Sequence, residues 1–200
     1  MSDNSWGQLK DSLQHCTCCT LYQKATQVVG GEGRKDSPVI FVGEQPGDQE
    51  DLAGRPFVGP AGKVFDEILA SLEWPREEIY LTNAVKHFKY QMRGRRRIHQ
   101  TPDVEEVDSC RIWLKAEWRL LRPRLTVALG ATAVLSLTGK KQTLSSLRGR
   151  ILMLKDVAPF IVTYHPSYVL RQPTEEGREK AYHAIQSDLK MAKDFLEKSE

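Results

Sequence analysis

Residues 38–62 read PVIFVGEQPGDQEDLAGRPFVGPAG, and the change of character at Gly43 decides the fold. The run 38–43 is short, β-branched and aromatic, with no polar alternation, which is the pattern of a strand buried on both faces. A loop dense in glycine, proline and acid follows it. Working outward, three more runs share that character: 79–85 (IYLTNAV), 125–130 (LTVALG) and 160–165 (FIVTYH). Helical patterns fill the intervals at 61–72, 104–121, 131–137 and 176–196. Strand alternating with helix predicts an α/β fold, a three-layer α/β/α sandwich around a central four-stranded parallel sheet. No internal repeat or linker composition divides the chain, so residues 1–200 are read as one domain.

Ligands of such sheets bind at the loops that leave the carboxyl ends of the strands. Those loops begin at Glu44, near Lys86, at Gly130 and at His165. The first carries Gly43, Gly47, Gly54, Gly59 and Gly62, which allow close backbone approach to a ligand, although no Walker or GxGxxG pattern is present. The second holds Arg93, Arg95, Arg96 and Arg97 near Lys86 and Lys89, a density able to neutralise several phosphates and equally compatible with a solvated basic loop. Net charge is only +3, so the distribution of charge rather than its sum suggests a nucleic-acid partner.

Apolar residues make up 40% and charged residues 28% of the chain, a balance that excludes extended disorder. No segment approaches the roughly 20 apolar residues needed to span a bilayer, and the first ten residues are too polar for a signal peptide. A cytoplasmic protein without a membrane partner is expected, monomeric because the fold needs no second copy to close its core.

Cys16, Cys18, Cys19 and Cys110 therefore sit in a setting where disulfides do not persist, and metal ligation becomes their leading use. Cys16 and Cys19 have the C-x2-C spacing that aims two thiolates at one centre. Cys110 supplies a third donor, and His87, at the end of the second strand, is the preferred fourth. Spacing alone leaves zinc and iron–sulfur open and does not dispose of Cys18.

The stretch 43–62, continued by Asn83 in TNAVKH, by the HPS of residues 165–167 and by Arg171, resembles the family-4 uracil-DNA glycosylases. With the N-terminal cysteine turn the resemblance covers residues 15–190. It implies a [4Fe-4S] cluster, part of whose site lies in residues 1–37. Family-4 members place a cysteine where this chain has His87, a departure shared with the UdgX-type proteins of the same superfamily, which use the histidine as a ligand. Two further features resemble that subgroup: Gln45 after Glu44, and an inserted RRIH loop, here Arg96, Arg97, Ile98 and His99. In UdgX-type proteins that histidine attacks the deoxyribose once uracil leaves, so the protein becomes linked to its own product.

The resemblance implies uracil-containing DNA, single-stranded or duplex, as the partner, and a base taken out of the stack. Asn83 has the donor and acceptor needed for the uracil edge. Phe57 is the candidate to cover the base, against the plainer reading of a core phenylalanine. Gly43 and Asp48 complete the expected substrate loop, and Arg171 is expected in a loop that fills the space the flipped base leaves. Bond cleavage builds positive charge on the sugar and negative charge on uracil. His165 can donate to uracil O2, while Glu44, with Gln45 beside it, can stabilise the sugar and take a proton from the nucleophile. His99 offers a neutral imidazole as that nucleophile. Arg95, Arg96, Arg97 and Lys86 are the expected phosphate contacts. The competing readings are a hydrolytic glycosylase in which His99 only helps bind DNA, and a non-enzymatic single-strand-binding module with a structural metal.

Overall fold

Alternate residues of each buried run face opposite sides of one sheet, and each side is roofed by helices. The computed structural model describes residues 3–154 and 157–198, so the outermost ends of the expected 1–200 domain lie outside it. Its first half runs α1 (Asp3–Gln14), β1 (Glu32–Gly33), β2 (Val39–Gly43), α2 (Asp48–Ala53), α3 (Pro60–Ser71), β3 (Tyr80–Asn83), β4 (Tyr90–Arg93) and β5 (Arg96–His99). Its second half runs α4 (Val104–Leu121), β6 (Leu125–Leu129), α5 (Ala131–Thr138), β7 (Ile151–Leu154), β8 (Val157–Thr163), α6 (Ser167–Leu170) and α7 (Glu175–Lys198).

The main sheet has the order β1-β3-β2-β6-β8-β7. Its four inner strands are the four expected ones and pair in parallel. The expected four-stranded sheet is thus the centre of a six-stranded one, with β1 and β7 added antiparallel at the edges. Two residues of β1 are too few to show a period, and β7 exposes Ile151 and Met153 at the rim.

One face of the sheet presents Val39, Phe41, Leu81, Val127, Leu129 and Ile161 to α3 and α7. The other presents Ile40, Val42, Tyr80, Ala128, Phe160 and Val162 to α4 and α5. This period-2 division of uniformly apolar strands is why they show no polar alternation. Helix starts are locally encoded: Pro60 opens α3, and Asp103 and Glu106 form a capping box at α4, the Asp103 N–H donating to Glu106 Oε2 at 2.7 Å.

The Arg-rich segment read as a loop is an antiparallel hairpin, β4 with β5, pairing Tyr90 with His99 and Arg93 with Arg96 around a Gly94–Arg95 tip. Gly94 takes the left-handed φ of 62° that the tight turn requires. Chain order reverses between β2 and β6, which makes the carboxyl end of that strand pair the topological switch point. Among the described residues, no helix is long and apolar enough to cross a membrane.

Candidate active site

The loops after β2, β3, β6 and β8 converge at this switch point. Gly43 and Asn83 are partners in register at the ends of β2 and β3. A Cβ on Gly43 would collide with Asn83 Oδ1 and approach the Phe57 ring to 2.7 Å, so glycine is what lets amide and ring meet there. Phe57 is both a core and a site residue. Its ring is buried, packs 5.6 Å from Phe65, and lies 6.0 Å from His165 in a stacked arrangement.

Glu44 stands at the mouth of the same crevice. Its Oε2 accepts a hydrogen bond from the Thr132 hydroxyl at 3.0 Å, and its Oε1 lies 3.2 Å from His99 Nε2 without the alignment of a hydrogen bond. Burial opposes ionisation of this carboxyl, but His99, Thr132 and His165 outweigh it and hold the group below its ordinary value. Thr132, the second residue of α5, was not singled out from sequence; a threonine two residues past a strand-end glycine carries no distinctive signal.

His165 is oriented from its other side. The Ser167 backbone N–H donates to Nδ1 at 3.2 Å, and the Ser167 hydroxyl lies 2.8 Å from the same nitrogen. Nδ1 is therefore the acceptor, and the neutral ring carries its proton on Nε2. Burial pushes the imidazole down to about 4, so it stays neutral across the working range. Arg171 Nη1 donates to the Ser167 hydroxyl at 2.6 Å, which ties the loop after α6 to this histidine.

The hairpin carries His99 to Glu44, and three expectations change here. Gln45 does not meet the reacting groups: its Nε2 donates to the carbonyls of Lys89 (3.2 Å) and Gln100 (3.0 Å), and its Oε1 accepts from the Lys89 N–H at 2.9 Å. It staples the base of the hairpin. Arg97 turns inward, its Nε 2.6 Å from Asp48 and its Nη1 2.5 Å from Asp51, with its guanidinium over the Phe88 and Tyr90 rings. Two carboxylates and two aromatic faces hold it more firmly than a phosphate in water would. Asp48, expected near substrate, is spent on that pair. Arg95 and Arg96 are exposed, as phosphate contacts must be.

Residues 31–190 match the family model described as the uracil DNA glycosylase superfamily. The chain belongs to that superfamily. It is similar to the type-4 uracil-DNA glycosylase of Thermotoga maritima, at 37% identity over 95% of this chain and 94% of the relative. The type-4 uracil-DNA glycosylase of Pyrobaculum aerophilum is 35% identical over 92% and 91% of the two chains, and that of Archaeoglobus fulgidus 34% over 80% and 81%.

Lys86, read as a phosphate contact, is fully buried in this superfamily member. Its Nζ donates to Glu117 Oε2 (2.7 Å), to Thr82 Oγ1 (2.5 Å) and to the Asn83 carbonyl (2.9 Å), so no DNA can reach it. Neither Glu117 nor Thr82 was singled out from sequence, because only the packing of α4 on the sheet brings them to the lysine.

The chemistry of the donor set fits a metal group. The Lys86 backbone N–H donates to Cys110 Sγ at 3.2 Å and the Trp113 indole N–H to Cys16 Sγ at 3.0 Å, bonds of the kind that stabilise thiolates at iron–sulfur centres. Burial pushes the Cys110 thiol up to about 12. It also holds the His87 imidazole below its ordinary value, and His87 Nδ1 is buried without a hydrogen-bond partner. Cys19 packs against the cluster of buried residues that contains Cys110. Cys18 is exposed, whereas Cys16 is buried and Cys19 half-buried. Among the described residues, no three His, Cys, Asp or Glu side chains lie close enough to share a single metal ion.

Proposed function

We propose that this protein excises uracil from DNA and is then captured on its own product through His99. The observation that carries this reading is the approach of His99 Nε2 to within 3.2 Å of Glu44 Oε1, at the end of a hairpin held in place by Gln45 and Arg97. An extruded uracil enters beside Gly43, with the Phe57 ring against the base and the Asn83 amide on its edge. As the C1′–N1 bond breaks, its electron pair leaves with uracil, and His165 Nε2–H stabilises the charge on O2. The His99 ring gives a lone pair to C1′, and its remaining N–H proton passes to Glu44. Once its N–H proton is gone, the ring could leave only as imidazolate, a far stronger base than the uracil anion that His165 stabilises, so the reaction stops after one turnover. Arg95 and Arg96 meet the DNA backbone around the site, and the loop carrying Arg171 fills the space the flipped base leaves.

Cys16, Cys19, His87 and Cys110 would hold a [4Fe-4S] cluster, whose contribution is structural, tying the N-terminal turn to α4 and to the end of β3.

Similarity to type-4 enzymes favours a second reading, in which Glu44 activates water and His99 remains unmodified. A denaturing gel of the protein mixed with uracil-containing single-stranded DNA separates the two. A band that survives heat and detergent, requires uracil and disappears in His99→Ala supports capture. Abasic sites accumulating over many turnovers without that band establish the hydrolytic reading.

A further inference from the structure

Phe57 occupies a backbone conformation that a bulky residue rarely adopts, with φ at 55°. Its carbonyl oxygen sits where a Cβ on Gly62 would collide with it, and that glycine opens the way for the first turn of α3 to pass beneath. Glu50 of α2 holds the far end of the turn, its Oε1 accepting the Gly59 N–H at 2.7 Å, and the carbonyls at Phe57 itself and before it are held by another side chain. Arg76, in the short 3₁₀ turn Arg76–Glu78 before β3, donates from Nη1 to the Phe57 carbonyl (3.2 Å) and from Nη2 to the Pro56 carbonyl (3.0 Å). Its own orientation is fixed by Asp66 on α3, whose Oδ1 accepts from the same Nη1 at 2.5 Å. Without those bonds nothing polar on the arginine would favour a left-handed phenylalanine over a relaxed one.

We infer that Arg76, braced by Asp66, is a positioning residue for uracil excision: it fixes the left-handed turn that places the Phe57 ring beside Gly43 and Asn83. The inference rests on the reading that Phe57 lies against the extruded base. Arg76 touches neither base nor sugar in this arrangement. Its effect is transmitted through the backbone, because rotating φ at Phe57 swings the ring away from the Gly43 edge. Planar geometry matters, since one guanidinium bridges two carbonyls and a carboxylate, which a lysine cannot do.

The test compares Arg76→Met with Arg76→Lys and Phe57→Ala, using single-turnover excision at saturating uracil-DNA, inhibition by free uracil, and binding to uracil-free DNA. Loss of placement predicts an excision rate lowered about tenfold or more in both arginine variants, weaker inhibition by free uracil, and unchanged binding to uracil-free DNA. A purely stabilising arginine would instead leave the rate per folded molecule and the uracil inhibition at wild-type values, which overturns the inference. A full rate in Phe57→Ala removes the reading of Phe57 and the inference with it, whereas a slow Phe57→Ala beside a full-rate Arg76→Met removes the inference alone. Should Arg76→Met not fold, Asp66→Asn, which loosens the brace and leaves the arginine in place, is held to the same three readouts.

Discussion

At the level of single residues, the proposed chemistry depends on which nitrogen of His165 carries the proton. The Ser167 amide fixes Nδ1 as acceptor, and burial keeps the ring neutral down to about 4. An unfolded histidine titrates near 6.5, so the unfolded chain binds the extra proton first and stability falls as pH drops from about 6.5 towards 4. Glu44 acts in the same sense: its folded carboxyl lies below the ordinary value, so its contribution is present above that value and lost as pH falls through the folded one. Urea unfolding at pH 7 and pH 4.5 is expected to show a larger acid loss in the wild type than in His165→Asn, which lacks the titrating ring. In the proposed reaction Glu44→Gln keeps the Thr132 contact but cannot take a proton, and single-turnover excision is expected to slow by about 10² or more. Strand ends and a sequence resemblance together select Asn83, Glu44 and His165, whereas the resemblance alone selects His99. Lys86 was misread because a lysine beside four arginines looks like part of a basic patch until Glu117 is found against it.

At the level of elements, the β4–β5 hairpin was the least legible part of the fold. Its strands YQMR and RRIH have no buried face, so no period-2 apolar pattern marks them. The inner strands were legible for the opposite reason, being apolar throughout and bounded by glycine and proline. A two-stranded ribbon without a core is marginal by itself, and this one is held by side chains from outside. Gln45 bonds the residues that flank both strands, Lys89 and Gln100, while Arg97 bonds Asp48 and the buried Asp51 of α2. Gln45→Ala leaves the Lys89 N–H and the Gln100 carbonyl without their partner, while the Lys89 carbonyl keeps the Gln100 N–H, at an expected cost of about 1–3 kcal/mol. Most of that cost should appear locally. Hydrogen exchange of amides 90–99 is expected to accelerate while those of β2 and β6 hold, and, where His99 captures the product, the cross-linking rate should fall with it.

At the level of the whole molecule, one buried ion pair joins the layers that the proposed site needs to keep in register. Glu117 is on α4, Lys86 follows β3, and the other carboxylate oxygen of Glu117 accepts the Gly31 N–H at 2.9 Å, which brings the approach to β1 into the same network. Cys110 lies on the same helix as Glu117, and its sulfur accepts from the Lys86 amide, so that helix and the Asn83 strand end are fixed by a single residue. A pair this deeply buried gains little net stability over an apolar replacement, because desolvating both charges consumes most of their attraction. Losing one partner is different, since the remaining charge is stranded where water cannot reach it. Lys86→Met is therefore expected to cost about 3–5 kcal/mol, measured as a fall in the urea midpoint. Lys86→Met combined with Glu117→Gln removes the stranded charge, keeps an acceptor for the Gly31 N–H and turns an amide donor to the Thr82 hydroxyl in place of the lysine, so the double variant is expected to recover most of that loss. If the double variant were as unstable as the single one, the network would be acting through its hydrogen bonds to Asn83 and Thr82 rather than through its charge.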